Sequence, residues 1–215
     1  MYRVGYIDDQ PTQFGNIQKK FKRFWPESEF VLLDGCKTRE EFLEKIYEEQ
    51  IDVLLVDYKM AGTFGFNGST LINYINDQMR DLECFVLTAV EKESVKDGLV
   101  PYRNVQSKNI FDTEGDVEER VNNLKDFLNV LKESAQVFQT RREHKKQQYL
   151  ELLEKKKQGE LSLPDQDEYL RLYKVLSSYG MIEKLPQEVL TSNFETDLEN
   201  LLKIGESIIE KYKQQ

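Results

Sequence analysis

Two apolar rhythms alternate along the first half of the chain. Short apolar runs at Tyr2 to Ile7, Phe30 to Leu33, Val53 to Val56 and Cys84 to Leu87 have strand length, and Asn104 to Ser107 is a shorter, less apolar fifth. Between them the spacing turns helical. Phe14, Ile17, Phe21 and Phe24 share one face of a helix that starts near Thr12 and is closed by Pro26. Thr38 to Glu49 reads as a second helix, with Phe42, Leu43 and Ile46 inward and Thr38 and Glu41 placed for a capping box. After the third strand comes a loop with Gly62, Gly65 and Gly68, then a helix from Ser69 to about Arg80. A short helix around 91–97 stops near Gly98 and Pro101. Five strand-then-helix units predict an α/β fold, a doubly wound parallel sheet. The unbroken Val53 to Val56 run marks its central strand, covered on both faces.

The second half carries no strand pattern. From Asp116 to about Gln158 there is neither Pro nor Gly, which predicts one long helix. Val117, Val121, Leu124, Leu128, Leu131, Ala135, Phe138, Tyr149 and Leu152 fall on a 4–3 repeat, and Arg142 and Lys145 interrupt it. Tyr169, Tyr173 and Leu176 mark a helix that begins between Ser162 and Asp165. Phe194, Leu198, Leu201, Leu202, Ile208, Ile209 and Tyr212 mark a final amphipathic helix after a Ser192–Glu195 capping box. The repeat can pair with a second chain in a homodimer, or with the chain's own shorter helices. The bundle within one chain is favoured, because those helices are too short to stand alone in water. Arg142 and Lys145 would then mark where the long helix emerges from cover.

Composition narrows the class. With 39% hydrophobic and 32% charged residues and a net charge of −9, the chain reads as an acidic soluble protein rather than a disordered one. No 18-residue apolar run and no basic-then-apolar N-terminus occurs, so neither a membrane span nor a signal peptide is expected. Cys36 and Cys84 form no metal or redox spacing, and a single His rules out a His-rich metal site; a reducing cytoplasm fits. Residues 117–215 hold 16 basic and 18 acidic side chains, which argues against a nucleic-acid partner. The basic stretches at 141–146 and 155–157 read as a solvated helix face. A helix–turn–helix at 172–190, with Gly180 in its turn and Pro186 near the second helix start, would offer only Val189 and Leu190 to bases. No nucleotide loop or nucleophile–base set points to an enzymatic output.

Chemistry gathers at the strand ends. Asp57 closes the central strand, while Asp8 and Asp9, Thr88 and Lys108 close three others. In open α/β sheets ligands bind beyond the carboxyl ends of the strands. A carboxylate there can be a metal ligand, a nucleophile or an acceptor for a transferred group.

Residues 1 to about 130 resemble the receiver domain of two-component response regulators. The resemblance is carried by an ordered set: Ile-Asp-Asp at 7–9, Leu-Val-Asp-Tyr-Lys-Met at 55–60, Asn-Gly at 67–68, Leu-Thr-Ala at 87–89 and Ser-Lys at 107–108. It implies a flavodoxin-like five-stranded fold and a phosphoryl group accepted by Asp57 from a histidine kinase or phosphotransfer protein. It also implies Mg²⁺ held by Asp8, Asp9, Asp57 and the backbone carbonyl of Lys59, with Thr88 and Lys108 contacting the phosphoryl group. Such a cation would relieve the repulsion among three crowded carboxylates and prefers oxygen ligands. Residues 131–215 would form a helical output region that signals by binding an unidentified protein. A DNA-binding transcriptional output, or a relay receiver with a dimerising tail, are the alternatives. Four departures stand out: Ala61 and Asn109 replace customary prolines, Val105 stands where an aromatic is common, and the loop to Gly68 is longer and carries Phe64 and Phe66.

Overall fold

The computed structural model describes residues 1–89, 97–112 and 117–183. Five parallel strands, β1 (Tyr2–Ile7), β2 (Ser28–Leu32), β3 (Val53–Asp57), β4 (Cys84–Thr88) and β5 (Val105–Ser107), form one sheet in the order β2-β1-β3-β4-β5. This is the flavodoxin-like order. The helices are α1 (Phe14–Phe24), α2 (Arg39–Glu48), a one-turn α3 (Ala61–Phe64), α4 (Gly68–Gln78), α5 (Val117–Lys157) and α6 (Leu163–Ser178). The capping box at Thr38 and Glu41 forms as expected. The one-turn α3 falls within the loop before α4. The segment expected as a helix at 91–97 lies, apart from its last residue, outside the described residues, as do the Ser192–Glu195 cap, the final helix and the second helix of any helix–turn–helix.

The two-residue period of the strands sorts the core into two layers. Leu54 and Val56 of β3 pack with Phe42 and Ile46 of α2 and with Leu71 and Ile75 of α4. Val53 and Leu55 point the other way, onto Ile17 and Phe21 of α1 and onto Leu124, Leu128 and Leu131 of α5. Helices on both faces explain why β3 is apolar from Val53 to Val56, up to the carboxylate of Asp57 at its end.

At 41 residues, α5 is about 60 Å long. Leu124 to Ala135 lie on the α1 side of the sheet, whereas Phe138, one turn on, joins the cluster under α2 and α4. The helix makes this passage at the N-terminal ends of the strands. There the Gln139 side chain donates to the Met1 carbonyl at 3.4 Å and to Asp52 Oδ2 at 2.7 Å. Beyond it, Tyr149 and Leu152 pack with Tyr169, Leu172, Tyr173 and Leu176 of α6. From Leu124 onward the 4–3 stripe is therefore filled by this chain's own sheet and by α6. The side chain of Val117 lies outside the described residues.

Arg142 and Lys145 do not mark an emergence from cover. Both side chains are only 19% exposed; Arg142 pairs with Asp52 at 3.3 Å and Lys145 pairs closely with Asp81. Arg141 approaches Asp81 at 3.5 Å, and the Tyr179 hydroxyl, past the end of α6, donates to the same carboxylate. Charged residues interrupt the apolar repeat because the surface α5 meets at the foot of the sheet is acidic.

Candidate functional site

Beyond the carboxyl ends of β1, β3 and β5 lies a cleft of about 310 Å³, lined by Asp8, Asp9, Gln10, Thr12, Gln13, Asp57, Lys59 and Lys108. Parallel register makes the assembly: Ile7 pairs with Val56, so Asp8 and Asp57 emerge side by side, each one residue further on. One carboxylate oxygen from each of Asp8, Asp9 and Asp57 lies within 4.8 Å of the others. Lys108, at the end of β5, reaches across with its ammonium 2.9 Å from Asp8 Oδ2 and 2.9 Å from Asp57 Oδ1.

Asp8 and Asp57 share this lysine yet differ. Burial raises Asp8, but the Tyr6 hydroxyl, Lys108 and the Gln10 N–H all donate to it, and together they hold its carboxyl below the usual range. Asp57 is pushed above the usual range by burial, which Lys108 and the Lys59 N–H only partly offset while the charge of Asp8 adds to it. Burial also pulls the Lys108 ammonium down, but its hydrogen bonds and ion pairs with both carboxylates win and raise it. The outcome is a buried, ion-paired carboxylate at the centre of the sheet, open to a cleft.

Of the residues singled out from sequence, Asp8, Asp9, Asp57, Lys59 and Lys108 meet at this cleft. Thr88 is buried at the end of β4, outside that lining. Register sets Asp57 beside Leu87, so Thr88 stands one step further along. With Asn109 after it, Lys108 opens a 3-10 turn, Lys108–Phe111, whose Asn109 N–H is capped by Ser107 Oγ at 3.3 Å. Val105 packs against the α2–α4 core. Phe64 and Phe66 do the same: their rings stack at 5.9 Å and set edge-on against Phe42 at 5.4 and 6.4 Å.

Three contributors were not legible as site residues. Tyr6 lies two positions before Asp8, hence on the same side of β1, and its hydroxyl donates to that carboxylate. The Thr63 hydroxyl, on α3, donates to Asp9 Oδ2 at 2.8 Å. A basic groove of about 550 Å³ adjoins the cleft along α1; Lys19, Lys20 and Arg23 line it, and it shares Gln13 and Lys108. Strand periodicity carried a signal for Tyr6, and a run of cations on α1 carried one for the groove.

No family model, curated protein or solved structure matches this chain. What the site can do follows from its chemistry. Clustered carboxylates, an ammonium bridging two of them and a hydroxyl-bearing neighbour strand suit a divalent cation and an incoming anionic group.

Proposed function

We propose that this chain is a phosphoacceptor of the receiver type, with Asp57 taking a phosphoryl group from a phosphohistidine protein. The observation that carries the reading is the placement of Lys108, 2.9 Å from both Asp8 and Asp57 at the mouth of one cleft. Three carboxylate oxygens within 4.8 Å suit a hard cation, and Mg²⁺ is the one that fits phosphoryl chemistry. Asp8, Asp9 and Asp57 would hold it, with the Lys59 carbonyl as a further ligand. Bound there, it would neutralise charge on the transferring group and shield the carboxylates from one another.

Asp57 supplies the nucleophile. One of its carboxylate oxygens forms the new O–P bond as the donor's P–N bond breaks, and the electron pair leaves with the imidazole nitrogen. The transfer brings a dianionic phosphoryl group into the cleft, and the added negative charge has to be balanced there by the cation and by Lys108, whose ammonium lies 2.9 Å from Asp57. Lys108 keeps its ammonium throughout and swings from the carboxylates to a phosphoryl oxygen. Thr88 offers a hydroxyl hydrogen bond to another oxygen, which links the modification to the segment after β4. The basic wall of Lys19, Lys20 and Arg23 favours the approach of a negatively charged donor.

Residues 131–215 would act as a helical output that binds a protein. The state of the basic stretches supports this over a DNA-binding output. Arg142 and Lys145 are engaged with Asp52 and Asp81, Lys155 lies 3.7 Å from Asp165, and Lys157 lies 2.7 Å from Glu154.

The test is incubation with a small phosphodonor such as phosphoramidate, read by intact mass. One added phosphoryl group is expected with Mg²⁺, absent without it and absent in Asp57→Ala. An unmodified wild-type protein with Mg²⁺ and excess donor, or equal modification of the variant, overturns the assignment.

A further inference from the structure

We propose that Thr63 is a positioning residue, which orients the Asp9 carboxylate for the divalent cation. This rests on the reading of Asp8, Asp9 and Asp57 as a Mg²⁺ site. The other two carboxylates have strong internal anchors. Asp8 accepts from Tyr6, Lys108 and the Gln10 N–H, and Asp57 from Lys108 and the Lys59 N–H. Asp9 sits nearer the rim, and the hydroxyl of Thr63 holds its Oδ2 at 2.8 Å. That leaves the other oxygen to turn toward the cluster.

The hydroxyl comes from a rigid support. Met60, fully buried, accepts the N–H groups of Thr63 at 3.1 Å and Phe64 at 2.9 Å through its carbonyl. Gly65 ends the turn in the left-handed region at φ 79°, and its N–H returns to the Ala61 carbonyl at 3.0 Å. Phe64 and Phe66 then fasten the turn to Phe42 of α2. The extra residues after Met60 thus form a bracket, aromatic on its inner side and presenting one hydroxyl to the acidic cluster. A ligand held by such a partner pays less orientational entropy on binding an ion, and loss of comparable partners weakens metal binding by about 10–100-fold.

Isothermal titration of the full chain with MgCl₂ tests this, on wild type, Thr63→Val and Thr63→Ser, beside thermal melts without metal. Thr63→Val keeps the shape and removes the hydroxyl, so Mg²⁺ affinity should fall about tenfold or more while the metal-free melt stays unchanged. Thr63→Ser should restore the affinity. Wild-type affinity in Thr63→Val, or equal weakening in Thr63→Ser, overturns the role of Thr63 while leaving the Mg²⁺ reading intact. A wild-type protein that binds no Mg²⁺ removes the underlying reading, and the proposal with it.

Discussion

Gly68 lies against the backbone of Asp57, so close that a β-carbon there would stand 2.1 Å from the Asp57 carbonyl oxygen and 2.9 Å from its carbonyl carbon. The Gly68 N–H also donates to the Tyr58 carbonyl at 3.0 Å, which seats the start of α4 on the end of β3. The obstacle to a side chain is backbone, so it cannot swing aside. Gly68→Ala should therefore cost about 1–3 kcal/mol or more in denaturant unfolding, the usual range for overpacking being the lower bound here. Gly62→Ala, where nothing lies within 4 Å, is the control and should be near neutral. Equal midpoints for the two variants would refute the close approach.

Asp9→Asn removes one negative charge from the three-carboxylate cluster but keeps an oxygen for the Thr63 hydroxyl to donate to. Without metal, its melting temperature should equal or slightly exceed that of wild type, because like-charge repulsion falls. With Mg²⁺ the order should reverse, since the variant gains less from the ion. Paired melts check this. A clear loss of stability in the metal-free variant would make Asp9 a structural cap instead.

Asp81 gives the junction at the foot of the sheet a pH dependence. Burial raises its carboxyl, but hydrogen bonds from Lys145 and Tyr179 and the charges of Lys145 and Arg141 outweigh this and hold it below the ordinary value. A folded-state value below the unfolded one means stability that is present above the unfolded carboxylate range, near pH 4, and lost as pH falls through the depressed value. Asp52 has the opposite sign: burial raises it, against the Arg3 N–H, Arg142 and Gln139, so acidification does not weaken the fold through this group. Wild type should thus lose its stability margin over Asp81→Asn as pH drops below about 4. Denaturant melts from pH 7 downward should show the two curves converging, and parallel curves would contradict the assignment.

Leu172, fully buried between α5 and α6, reports on whether the helical half is one packed unit. Leu172→Ala should destabilise by about 2–5 kcal/mol, the usual cost of such a cavity. Truncation after Gly159 removes α6 and strips the cover from Tyr149 and Leu152, so the shortened chain should aggregate or lose stability. A soluble, dimeric truncation product by light scattering would show instead that the α5 stripe prefers a second chain.

Local pattern determined much of this protein. Apolar period and strand-end chemistry were enough to read five strands, the helices that follow β1, β2, β3 and β5, the capping box at Thr38 and a long helix within one residue of Val117–Lys157. The same pattern placed Asp8, Asp9, Asp57 and Lys108 at strand ends, and parallel pairing then brings strand ends together. These features are legible because each depends on neighbours a few residues away. What tertiary structure decided was partnership across long separations. Thr63 meets Asp9, 54 residues away, only because a phenylalanine pair seats α3 on α2. Arg142 and Lys145 read as polar interruptions of a helical stripe until Asp52 and Asp81 are seen beneath them. A charge in a sequence carries no record of its counter-ion, because burial and distance in the folded chain choose it.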